Sequence, residues 1–169
     1  MSEKHSVIAE LYEFKVKDLL EPIDAKLAYV EKTDAVEQVF LLLGKKNHIW
    51  VVDDSITLHV LGIITGSDTI QLFAPPYTPL QSFDKPTLQS FQYGLATTAE
   101  EIMSKRPITA DPNEKIIHVI AKMKQHRIKQ LPVVDENERL IGEVSLNRLI
   151  QEYSKRQAES IKMKKTEII

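Results

Sequence analysis

The chain of 169 residues contains no cysteine. That excludes disulfides, thiolate metal ligands and a cysteine nucleophile, and it suits a reducing compartment. Glycine is scarce, five residues in all, and none falls in a G-x-x-x-x-G-K-[ST] or G-x-G-x-x-G loop. The ordinary phosphate loops of NTPases and dinucleotide enzymes are therefore absent. No apolar run approaches the ~20 residues needed to span a bilayer. The opening residues 1–14 carry charges throughout and lack the apolar stretch of a signal peptide. A cytoplasmic location is expected. The net charge of −2 gives no global field toward nucleic acid or membrane.

Catalytic constellations are missing too. The five histidines, His5, His48, His59, His118 and His126, are scattered, and none pairs at metal-ligand spacing. His118 and His126 fit a solvated helix face. No serine nucleophile motif occurs, and Asp53-Asp54 reads as a turn pair that serves the backbone. Near the C-terminus, Lys155, Arg156, Lys162, Lys164 and Lys165 are interrupted by Glu152, Glu159 and Glu167. A solvated helix accounts for that run better than a nucleic-acid arm. These absences point away from an enzyme and away from a metal site.

What is present is an internal repeat. Val51-Val52-Asp53 recurs as Val133-Val134-Asp135, and Gly62-Ile63-Ile64-Thr65 recurs as Gly142-Glu143-Val144-Ser145. Thr33-Asp34 matches Asn113-Glu114 in the same register. In each copy a helical stripe comes first: Ala35, Val36, Val39, Phe40 and Leu43, then Ile116, Ile117, Ile120, Ala121 and Met123. Short runs rich in β-branched residues follow, at 49–52 and 131–134, and read as buried strands. Second strands are expected at 60–64 and 140–144, each feeding a helix that begins at Thr65 or Ser145. The expected organisation is an N-terminal helix (1–15), a first repeat (16–73), a crossover (74–98), a second repeat (99–153) and a charged tail (154–169). The crossover, with Pro75, Pro76, Pro79 and Pro86 beside several aromatics, reads as ordered and non-helical. The fold class is α/β (α+β), built as a tandem repeat.

The pieces Lys17-Asp18-Leu19-Leu20 and Glu101-Ile102-Met103, the two "VVD" strands, and Gly62–Asp68 with Gly142–Arg148 occur in order in both copies. Together they resemble the CBS domain, named from cystathionine β-synthase, and the two copies resemble a CBS pair, or Bateman module, over about residues 16–153. The resemblance implies two small sheets with flanking helices about a pseudo-two-fold axis. It further implies clefts that bind adenosine compounds (AMP, ADP, ATP or S-adenosylmethionine), a regulatory role toward a separate partner, and a homodimer. The adenine nucleotide would be a regulatory ligand, not a required cofactor.

One motif carries chemistry. In Thr65-Gly66-Ser67-Asp68 a carboxylate and a hydroxyl stand at a helix start. A carboxylate can accept both hydrogen bonds of a ribose cis-diol, and free N–H groups at a helix start favour an anion. The same spacing also makes a helix cap, worth about 1 kcal/mol. The two roles are compatible. In the second copy Ser145 keeps the hydroxyl, but Arg148 replaces the carboxylate. A guanidinium has no acceptor, so one adenosine site per chain is expected, around Ile64, Thr65 and Asp68. The resemblance places base contacts near Ile108, Ile128 and Lys129, with Ser104 close by. Candidate phosphate ligands are Asn47, His48, Arg106, Arg127, Lys129 and Gln130. The alternative is a structural or dimerising module that binds no nucleotide.

Overall fold

A computed structural model describes residues 3–23, 27–73 and 96–166. The expected crossover falls almost wholly on 74–95 and lies outside the described residues. The chain divides into two compact units: residues 1–27 with 108–169, and residues 28–107.

The 28–107 unit holds a four-stranded sheet in the order β2 (Tyr29–Glu31), β3 (His48–Val52), β4 (Val60–Thr65) and β5 (Ser104–Lys105). β2 runs parallel to β3, reached through helix α3 (Val36–Leu43), and β3–β4 is an antiparallel hairpin. Helix α4 (Gly66–Phe73) leaves β4 directly, and α5 (Ala99–Ile102) precedes β5. Ile49, Val51 and Ile64 meet Val30, Val39 and Ala99 in one buried cluster. In the hairpin turn, Asp53 accepts the N–H groups of Asp54 and His59, while Asp54 accepts those of Ile56 and Thr57. The acidic pair therefore serves the backbone, as such turn residues do.

The other unit repeats the plan with a three-stranded sheet, β1 (Glu21–Pro22), β7 (Leu140–Ser145) and β6 (Gln130–Val134). A single parallel bridge between Ala110 and Val133 stands where β2 stands in its counterpart. Helices α2 (Val16–Leu19), α6 (Ile116–His126) and α7 (Leu146–Thr166) surround this sheet together with α1 (Glu3–Glu13). The buried stripe of α6 is Ile116, Val119 and Met123, with Ile120 packed alongside. Ile117 is 40% exposed, and Ala121 is exposed as well. The expected stripe was thus rotated: positions 116, 119, 120 and 123 follow the 3.6-residue period, and 117 and 121 lie to one side of it. The charged residues beyond 153 continue α7 without a break to Thr166.

The units and the sequence repeats are out of step. Residues 16–22, from the start of the first repeat, give their helix and edge strand to the sheet of the second. Residues 99–105 do the same for the sheet of the first. Two glycines admit these edge strands. A Cβ on Gly62 would lie 2.6 Å from the Ser104 carbonyl oxygen and 2.6 Å from Met103 Sδ. A Cβ on Gly142 would collide with the carbonyl of Glu21. The glycine of each G-h-h-[T/S] motif is therefore a close-approach position.

Candidate functional site

In the 28–107 unit, β4 delivers Thr65 to the start of α4, and the first turn brings Asp68 back against it. Asp68 Oδ2 accepts the Thr65 backbone N–H at 2.7 Å and the Thr65 hydroxyl at 2.8 Å. Asp68 Oδ1 accepts the Ser104 hydroxyl at 2.8 Å. Ser104 reaches the site because β5 pairs with β4, opposite Ile63. The helix start is thus capped by a carboxylate from its own first turn, which also favours the helix dipole. Thr69 turns its hydroxyl to the Gly66 carbonyl at 2.7 Å. Two hydroxyls and one carboxylate converge on a half-exposed junction.

Of the other sequence candidates in this unit, Ile64 is buried in the core. His48 pairs across the sheet with Thr65, and its ring meets Trp50 edge-on at 5.4 Å. Asn47 and Arg106 are exposed. Arg106 has a left-handed backbone (φ 57°).

The second-copy candidates belong to the other unit. Ile108 and Ile128 pack on its core. Arg127 is the left-handed cap that ends α6. Lys129 is exposed, and its carbonyl accepts the first N–H of α7, from Leu146, at 2.7 Å. Gln130 opens β6 opposite Ser145.

The junction equivalent to Thr65–Asp68 is differently equipped. Ser145 accepts the Arg148 backbone N–H at 3.1 Å and donates its hydroxyl to Glu21 Oε2 at 2.8 Å. Glu21 stands opposite Glu143 in the β1–β7 ladder, as Ser104 stands opposite Ile63. The carboxylate missing at position 148 is therefore supplied from the neighbouring strand. Sequence reasoning missed Glu21 because it lies 124 residues from Ser145. The available signal was its place just after the Leu19-Leu20 element, where Ser104 follows Ile102-Met103.

Around this junction lies a cavity of about 340 Å³, lined by Leu20, Glu21, Pro22, Leu27, Glu143, Arg148 and Gln151. Glu143 is only 8% exposed. Arg148 stands 3.8 Å from Glu152, which in turn accepts Arg156 Nε at 2.9 Å. Among the described residues no group of three His, Asp or Glu side chains could hold a metal ion. Among them, too, no helix is long and apolar enough to cross a membrane.

Each of the two sheet–helix units thus carries a glycine-admitted edge strand and a hydroxyl–carboxylate junction at a helix start. The CBS domain model matches residues 99–155, and the similar solved structures are CBS domain pairs. The chain has the fold of a CBS pair, and residues 99–155 match the CBS domain. The CBS domain pair of protein MJ0100, solved with 5′-methylthioadenosine and S-adenosyl-L-methionine, is 26% identical. The match covers 85% of this chain and 98% of that one, with a TM-score of 0.63. The CBS domain of a bacterial CNNM/CorC-family Mg2+ transporter, at 20% identity and TM-score 0.67, covers 89% of this chain and 81% of its own and shares the fold. Among curated relatives, homoserine O-acetyltransferase of Methanosphaera stadtmanae is 29% identical over 83% of this chain. L-aspartate semialdehyde sulfurtransferase of Methanocaldococcus jannaschii is 33% identical over 59% of this chain. The chain spans only 24% and 15% of these relatives' lengths.

Proposed function

We propose that this chain is a regulatory module that senses an adenosine compound, with the ribose held at Thr65 and Asp68. The observation that carries the proposal is the Asp68 carboxylate, set between two hydroxyls at the β4–α4 junction. A carboxylate flanked by rotatable hydroxyls can exchange its internal donors for those of a cis-diol. The two adenosine compounds held by the 26%-identical pair favour the same ligand class. Binding would bias the conformation of the module by the difference in ligand affinity between its states. The module acts on another activity and carries out no catalysis of its own, and self-association is part of this reading.

Titration calorimetry with AMP, ADP, ATP, 5′-methylthioadenosine and S-adenosylmethionine tests it. At least one should bind, and Asp68→Ala should abolish the heat. At 100-fold the dissociation constant the ligand should add about 2.7 kcal/mol of stability. If no compound binds and none shifts the melting temperature, the reading fails.

A second reading is favoured by one specific fact: Asp68 already accepts three protein hydrogen bonds as a helix cap. On that reading the junction is purely structural and the chain is a dimerising module. A ligand-free dimer in light scattering, silent toward all five compounds, would support it.

A further inference from the structure

The edge strand β5 is held lightly. Ala99, Ile102 and Met103, just before it, pack on the core of their unit. Ser104 and Lys105 are both exposed, so the strand buries no apolar side chain of its own. Two backbone pairings join it to β4, Ile63 with Ser104 and Gly62 with Lys105. The Arg106 N–H adds a bond to the Leu61 carbonyl at 3.2 Å. Arg106 itself is left-handed (φ 57°), a conformation that is strained in a non-glycine residue and persists only where its surroundings enforce it. Pro107 ends the unit, and the chain passes from there into the other. Among the described residues, the side-chain bond that ties 104–106 down is the Ser104 hydroxyl on Asp68 at 2.8 Å. Segments with little burial and few ties are the first to open. The counterpart strand β1 is built otherwise. Its Glu21 is the acceptor, taking the Ser145 hydroxyl, and Ile23, whose N–H bonds the Ile141 carbonyl at 3.1 Å, has no positive φ.

We propose that Ser104 is a ligand-released latch: it pins β5 to Asp68 until a ribose cis-diol takes the carboxylate, and its release loosens the strand that leads out of the unit. The latch rests on the adenosine reading of Asp68 and adds to it a route by which binding is passed on. Asp68 has about four acceptor directions, and the Thr65 N–H, the Thr65 hydroxyl and the Ser104 hydroxyl occupy three. A diol brings two donors, so one internal donor gives way. Both Thr65 donors stand at the start of Asp68's own helix. Ser104 comes from a separate, exposed strand and is the one that leaves. With the latch open, the strain at Arg106 is free to relax, and β5 separates from Gly62 and Ile63. Binding at one carboxylate thereby becomes slack in the segment that joins the two units.

Hydrogen exchange of the full chain, followed residue by residue by NMR, tests the latch. The Arg106 amide is the readout, and the Ile23 amide, at the equivalent place beside β1, is the internal reference. Without ligand, Ser104→Ala should speed Arg106 exchange by about fivefold, the factor that matches one lost hydrogen bond. Ser104→Thr, which keeps the hydroxyl, should exchange as the wild type does. AMP and S-adenosylmethionine are the ligand probes, each at an occupancy fixed by calorimetry. The one that binds should speed Arg106 relative to Ile23 in the wild type and add nothing in Ser104→Ala. 2′-Deoxy-AMP offers a single ribose hydroxyl, which the fourth acceptor direction of Asp68 can take, and it should leave Arg106 protected. The proposal is overturned if Ser104→Ala leaves the Arg106 rate unchanged, since the hydroxyl then holds nothing. It is equally overturned if a probe binds with heat and Arg106 stays as protected as before, an outcome that leaves the adenosine reading intact. Absence of heat from both probes is the other failure: it counts against the adenosine reading and removes the release step with it.

Discussion

Ser104 and the ribose diol compete for one carboxylate. A carboxylate offers about four acceptor directions, and in Asp68 three are filled, at 2.7, 2.8 and 2.8 Å. A cis-diol needs two, so one internal donor must leave. The Thr65 N–H is fixed by the helix start. Ser104 is exposed, and its hydroxyl can turn to water at little cost, so it is the donor that yields. A hydrogen bond of this kind contributes about 1 kcal/mol net, which corresponds to about a fivefold change in affinity. Ser104→Ala should therefore tighten AMP or 5′-methylthioadenosine binding by up to about fivefold, while Asp68→Ala abolishes it. The assay is calorimetry at fixed salt, with circular dichroism to confirm the fold. If Ser104→Ala instead weakens binding, Ser104 is a ligand contact in its own right, and the competition argument is refuted.

Other perturbations probe the frame. Arg156 donates to Glu152 at 2.9 Å and to Glu10 at 3.2 Å, and stands 4.3 Å over the Phe14 ring. Arg156→Ala leaves the buried Glu152 with the long Arg148 contact at 3.8 Å in place of its close partner and should cost about 2 kcal/mol after discounting the exposed side of the guanidinium, read as a lower urea midpoint. Gly142→Ala, whose Cβ would meet the Glu21 backbone, should cost about 2 kcal/mol or more. Gly66→Ala, with nothing within 4 Å, should be neutral or stabilise by about 0.5 kcal/mol; equal losses at both glycines would defeat the close-approach account. The Thr97 and Thr98 N–H groups hold the Glu101 carboxyl below its usual 4.5. A folded value below the unfolded one stabilises the protein above the unfolded value, and that stabilisation is lost as pH falls through the folded one. Urea melts across the acid range should show this loss in the wild type and a flatter profile in Glu101→Gln.

The hairpins and their turns were legible in the sequence because each depends on neighbours in the chain. Ile49–Val52 is β-branched and too short for a helix, and Asp53-Asp54 announces a turn. The α6 stripe was misplaced because apolar residues at 116, 117, 119, 120 and 121 surround most of the helix, and only packing against β6 and β7 selects the buried side. The edge strands β1 and β5 are two residues each. No periodicity can mark so short an element, and each pairs with a strand of the other sequence repeat. Thr65 and Asp68 were legible as a local motif. Their long-range donor was named only as lying nearby, and the counterpart carboxylate Glu21 escaped notice entirely.

That omission changes the meaning of the asymmetry between the copies. Read along the chain, Asp68 against Arg148 is the loss of a carboxylate. Read across the sheets, it is an exchange of roles. One junction has its carboxylate on the helix and a hydroxyl on the edge strand; the other has a hydroxyl on the helix start and its carboxylate on the edge strand. If the two junctions are versions of one frame, the double substitution Glu21→Ser with Arg148→Asp should write the Asp68 arrangement into the second junction. The new Asp would accept the Ser145 N–H and hydroxyl as Asp68 accepts those of Thr65, adding a cap worth about 1 kcal/mol. Loss of the long Arg148–Glu152 pair, one-third exposed on the arginine side, costs less than that, so the fold should survive. Each single substitution leaves a junction with either two carboxylates or none and should be the less stable protein. The double variant should regain stability beyond the sum of the singles, by about 1 kcal/mol of coupling. It should also raise the stoichiometry of AMP from one to two per chain if Asp68 is the adenosine-reading group. Additive singles would mean that the junctions are unrelated solutions and that the frame shared by the repeats ends at the strands.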